Sequence, residues 1–134
     1  MSTQQPVTVW IGAALLTITA LFHFTGYFQI PAPRSGAGSA SFFDATLRPL
    51  WLFASLHWLL AAAVCVLAIR AEPSIARPIL LGCASVVLAD AILLYVFIGP
   101  FIGAATLAGA ALLMIVGAYR SPRRHAGNSY SGDT

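Results

Sequence analysis

Three ionisable side chains stand inside long apolar runs: His23, His57 and Asp90. A carboxylate and imidazoles at membrane depth are costly, so each needs a partner and each marks a place where function concentrates. A carboxyl beside an imidazole is also a proton-exchange unit, because the imidazole titrates near physiological pH. Asp90 and His57 are therefore the candidate acid/base pair. His23, Arg48, Tyr27, Tyr95 and Trp58 are the candidate ligand-binding residues around them. Arg48 would hold a polar headgroup and a tyrosine or His23 would orient the ligand.

The elements that carry these residues follow from composition. With 59% hydrophobic and 8% charged residues, the 134-residue chain lacks the polar surface that water requires. Four stretches reach the length of about 20 apolar residues that a membrane helix needs. They are TM1 over 7–28, TM2 over 50–69, TM3 over 78–98 and TM4 over 101–119. Helices are the expected form, since an open sheet cannot satisfy its backbone in lipid and no alternating barrel pattern occurs. The expected architecture is all-α: a single membrane domain, a four-helix transmembrane bundle with multiple passes.

Orientation follows from arginine, since the chain has no lysine. Arg70, Arg77, Arg120, Arg123 and Arg124 fall on the side shared by both termini, and Arg34 and Arg48 on the other. The positive-inside rule puts both termini in the cytoplasm of a cell inner (plasma) membrane protein. The net charge of +3 then reflects topology and contact with anionic headgroups rather than nucleic acid. Small residues after TM1 resemble a cleavage site, but residues 1–6 carry no basic side chain and the apolar run is long, so TM1 is expected to be retained.

Counting along the helices at 1.5 Å per residue places Asp90 about 12 Å from the Ile98 end and His57 at a similar depth from Leu50; His23 is shallower. All three fall in the outer half of the bilayer, with Tyr27, Tyr95 and Arg48 nearer the rim. Gly12, Thr19, His23 and Gly26 form one stripe of TM1 that should face protein. His57 is nine residues from Arg48 and points away from it on a regular helix. One pocket holding both needs a bend at Pro49.

The connection 29–49 is turn-prone in its first half. Its second half, with Ser41, Phe42, Phe43, Asp44 and Leu47, suits a short interfacial helix, in which Asp44 and Arg48 would pair at i,i+4 before Pro49 opens TM2. Gly99-Pro100 forces TM3 and TM4 into a tight hairpin. The small residues Gly99, Gly103, Thr106, Ala110 and Gly117 make TM4 a packing helix, against a neighbouring span, a second copy or a larger membrane complex. The tail 120–134 is polar and expected to be disordered. Cys65 and Cys83 form no CxxC or zinc spacing and are expected to be reduced and structural. No nucleotide-binding or hydrolase signature occurs.

Several functions fit these features. The first is an enzyme converting a lipophilic small molecule that enters from membrane lipid, by acid/base chemistry at Asp90 and His57. Its main rival is a non-catalytic accessory or assembly subunit whose polar residues satisfy one another. A small proton-coupled transporter is a third, although no inverted repeat is visible. No cofactor is required; haem or a metal held by His23 and His57, with Asp90, is a minor alternative.

Overall fold

The computed structural model describes residues 7–30 and 42–120, and all regular structure in them is helical. Helix α1 spans Val7–Gly26 and runs into a 3-10 turn at Tyr27–Gln29. Helix α2 spans Phe42–Ala68, α3 Pro73–Ile98 and α4 Ile102–Arg120. Each of the four is long and apolar enough to cross a membrane. The early loop, Ser41 and the tail lie outside the described residues, as do the side chains of Phe42, Phe43 and Asp44, so the expected Asp44–Arg48 pair does too.

Two boundaries differ from the sequence expectation. Pro49 does not separate an interfacial helix from TM2: α2 is continuous from Phe42 through Pro49 to Ala68. Pro78 likewise lies inside α3, which starts five residues earlier at Pro73. Proline withholds one N–H from a helix, and that loss is tolerated where the surrounding turns still bond. Pro73 at the first turn meets the usual preference, because its missing N–H has no intrahelical acceptor there.

The helices pack in a ring in which α1 touches α2 and α4, and α3 touches α2 and α4. The seam between α2 and α3 is the least extensive of the four. The buried interior is Ala-rich, with Leu16, Leu80, Leu107 and Met114 as its largest fully enclosed apolar side chains. Leu, Ile, Val and Phe instead cover the outside, including Phe22, Phe53, Leu60, Val96 and Phe97. Small residues inside and large ones outside invert the pattern of a water-soluble bundle and match close-packed membrane helices.

The small stripe of α4 is used within the chain. A Cβ on Gly117 would stand 2.2 Å from Val9 of α1, and one on Gly12 of α1 would stand 3.1 Å from the Ala110 carbonyl of α4. Of the partners expected for this stripe, a neighbouring span covers Ala110 and Gly117. Gly103 faces its own neighbour Phe101 instead.

The α3–α4 hairpin turns at Gly99, whose φ of 98° and ψ of −173° form a backbone state that side chains disfavour. Its N–H still closes α3 on the Tyr95 carbonyl at 2.9 Å. Gly99→Ala is therefore expected to cost about 1–3 kcal/mol, read as a lowered unfolding midpoint in detergent.

Candidate functional site

Asp90 of α3 meets α2 through two side chains. The Trp58 indole N–H donates to Asp90 Oδ2 at 2.9 Å. His57 Nε2 lies 3.3 Å from the same oxygen. That second approach is close enough for an ion pair, but it is not aligned as a hydrogen bond, and Nε2 is shielded from solvent without a bonded partner among the described residues. His57 and Asp90, placed at a similar depth by the sequence, thus approach each other, and Trp58 joins them.

The pair sits at the α2–α3 seam with 33% of the His57 and 29% of the Asp90 side chain exposed. Phe53, one turn from His57, stacks against its ring at 6.2 Å between centroids. Val86, Leu93 and Phe97 share the Asp90 side of α3 by helical spacing, and all three are exposed apolar residues. An ionisable pair is therefore approached from the flank of the bundle, across an apolar surface.

His23 joins a separate part of the same network. Its ring stacks on Trp51 at 4.1 Å and meets Trp58 edge-on at 4.9 Å. Its Nδ1 lies 3.0 Å from Ser55 Oγ, and that hydroxyl also reaches the Trp51 carbonyl at 3.3 Å. A single hydroxyl proton serves both contacts only if Nδ1 carries the imidazole proton and Ser55 donates to the carbonyl. Trp51 in turn donates Nε1–H to the His23 carbonyl at 2.5 Å. That carbonyl belongs to the last turn of α1, where intrahelical donors run out. Glycine at position 26 makes room, since a Cβ there would collide with the Trp51 ring at 2.6 Å.

Trp58 is the link between the two parts. It is only 4% exposed, with one edge toward His23 and its N–H on Asp90. Proposed from sequence as a ligand-binding residue, it is instead enclosed within the protein. A buried indole N–H is a donor without an acceptor of its own, so it must find an oxygen. Asp90 supplies it.

The remaining sequence candidates lie elsewhere. Arg48 spends its guanidinium on the Ile30 carbonyl, through Nη2 at 2.6 Å and Nε at 3.2 Å, and lies 5.4 Å from the Tyr27 ring centroid. It secures the end of α1 against α2 and does not join His57, in line with their opposite directions on the helix. Tyr27 packs with Phe24 and Phe28. Tyr95 is 58% exposed, and its hydroxyl reaches no partner among the described residues. Ser85, five residues before Asp90 on α3, bonds the Leu81 carbonyl at 2.8 Å.

No protein-family model, curated protein or solved structure matches this chain.

Trp51 and Ser55 belong to the network but were not site candidates from sequence. A signal was present: Trp51, Ser55, Trp58, Ala62 and Cys65 recur at spacings of four, three, four and three, the period of one helix face. The metal alternative fares less well, because His23, His57 and Asp90 do not converge as a metal-holding trio among the described residues. Ser55 and Trp51 hold His23 on one flank of α2 while His57 faces the α3 seam, so the two imidazoles are not arranged as an axial pair. A groove of about 480 Å³ between α1 and α2, lined by Trp10, Ala13, Thr17, Leu59, Ala62 and Val66 among others, contains none of the ionisable residues. Its one hydroxyl, Thr17, is already bonded to the Ala13 carbonyl at 2.9 Å.

Proposed function

We propose that this chain is a small integral membrane protein that binds a lipophilic small molecule at the His57–Asp90 pair and exchanges a proton with it. The observation that carries the reading is His57 Nε2, a solvent-shielded polar atom 3.3 Å from Asp90 Oδ2 with no hydrogen-bond partner among the described residues. Leaving such an atom unbonded is expensive, and a ligand polar group that approaches along the seam would supply the missing bond. Trp58 holds the carboxylate still, so His57 is the mobile partner in proton exchange. Apolar neighbours on both helices favour a ligand that arrives from lipid.

Arginine placement supports cytoplasmic termini, an outward-facing pair and a multi-pass plasma-membrane location. A non-catalytic subunit of a larger membrane complex is the second reading. It is favoured by the way Arg48, Trp51 and His23 are all used to tie α1 to α2.

The test is co-purification. Wild-type protein and the His57→Gln variant are incubated with total lipid extract in mild detergent, washed and analysed by mass spectrometry of bound small molecules. A compound retained at about one per chain by wild type and lost from His57→Gln supports the site. Equal retention by both proteins, or none by wild type, transfers support to the subunit reading.

A further inference from the structure

Asp90 is the one carboxylate within the four apolar spans, and the described residues give it no permanent counter-charge. Arg48 spends its guanidinium on the Ile30 carbonyl at the end of α1. Arg77 stands 13 residues before Asp90 on α3, about 20 Å along the axis, and is held over the Tyr119 ring at 4.6 Å. Helix α4 brings no charged side chain before Arg120 at its last position. His23 of α1 bonds Ser55 and meets Trp58, not Asp90. Only His57 remains, and it is charged only if protonated. The Trp58 indole gives Oδ2 a hydrogen bond without a charge, and Oδ1 accepts none among the described residues. With 29% of its side chain exposed, Asp90 is open to the apolar flank of the α2–α3 seam.

Given the ligand-binding reading of His57 and Asp90, on which this rests, we propose that the ligand is a lipophilic amine bound as its ammonium ion. A carboxylate at membrane depth is stabilised by a partner of opposite charge, and a neutral ligand leaves its charge uncompensated. An alkylammonium offers three N–H donors and no acceptor. Asp90 Oδ1 takes one of them in a charge-assisted hydrogen bond. His57 Nε2 takes a second as the ligand enters the seam, because an imidazole that carries its proton on Nδ1 presents a lone pair at Nε2. Protonated His57 supplies the same positive charge from within the chain. The ammonium therefore replaces the His57 proton, and the site exchanges one cation for the other. A bare metal ion does not fit, since hard cations take about six to eight oxygen ligands and no further Asp or Glu joins the pair among the described residues. The hydrocarbon body of the amine lies on Phe53, Leu93 and Phe97, exposed apolar side chains that flank the pair.

Dodecylamine, dodecanol and dodecanoate share one chain length and differ in headgroup charge. Each is titrated calorimetrically into full-length protein in a non-ionic detergent at pH 8, where an alkylamine is protonated as lysine is, with the heat of partition into empty micelles subtracted. Wild type is expected to bind one amine per chain, about 10–100-fold tighter than the alcohol, the difference that a hydrogen bond to a charged group makes, and to bind dodecanoate most weakly. Asp90→Asn keeps an oxygen for the Trp58 N–H and is expected to lose the preference for amine over alcohol. His57→Gln is expected to weaken the binding of both. The amine class is overturned if wild type shows no preference for dodecylamine, a comparison that needs no variant to fold, or if folded Asp90→Asn keeps the preference. Alcohol or carboxylate binding that His57→Gln abolishes, without an amine preference, overturns the amine class and leaves a ligand at the pair. Binding of all three chains to His57→Gln as to wild type overturns the ligand reading itself.

Discussion

Trp58→Phe is expected to destabilise the protein by about 2 kcal/mol, the middle of the range for a hydrogen bond to a charged group. Phenylalanine keeps an aromatic ring edge-on to His23 but removes the donor that reaches Asp90 Oδ2 at 2.9 Å. Asp90 is then left with the misaligned His57 contact alone. Reversible unfolding of purified protein in mixed micelles measures the loss. Trp51→Phe is the internal comparison: its indole donates to a neutral carbonyl, so removing that N–H should cost nearer 1 kcal/mol. A Trp58→Phe, Asp90→Asn double variant should lose less than the sum of its single variants, because the two side chains form one interaction. Strict additivity would mean that the indole and the carboxylate are not coupled.

Gly117→Val should have the largest effect of any single-residue change in the α1–α4 seam. Its Cβ would stand 2.2 Å from Val9 Cγ2, 3.0 Å from Thr8 Oγ1 and 3.4 Å from the Val9 backbone nitrogen. The side-chain contacts can partly relax, but with the Val9 backbone already at contact distance the two further methyl groups of valine have no room unless the helices separate. Overpacking of this kind costs about 3 kcal/mol at the upper end of its usual range. In lipid, helices gain little from hiding apolar surface, so lost packing is not offset by the hydrophobic effect. Gly82→Ala provides the contrast. Gly82 is mid-helix with nothing within 4 Å of a new Cβ, and alanine there should stabilise by about 0.5–1 kcal/mol. Parallel unfolding of the two variants separates crowding from intrinsic helix preference.

The four helices long and apolar enough to cross a membrane were legible because length and apolar content are the signals that define them. The matching depth of His57 and Asp90 was legible by counting residues along their helices, but not whether the two side chains face each other. Rotation about each helix axis was not, and it decides the rest. Arg48 and Trp58 both looked suited to a ligand, yet the rotation of α2 carries Arg48 to the end of α1 and buries Trp58 between His23 and Asp90. Pro49 was read as the start of TM2 because proline favours a first helical turn; α2 continues through it.

The central claim is that His57 is held for a ligand and not for the fold. The most direct measurement is the thermal unfolding midpoint of wild type and His57→Gln at pH 8, each with and without lipid extract. Because Nε2 makes no hydrogen bond among the described residues, the two proteins should unfold together without extract, and extract should raise the midpoint of wild type alone. A His57→Gln midpoint well below wild type without extract, with equal responses of both proteins to extract, would contradict the account and make His57 a structural residue.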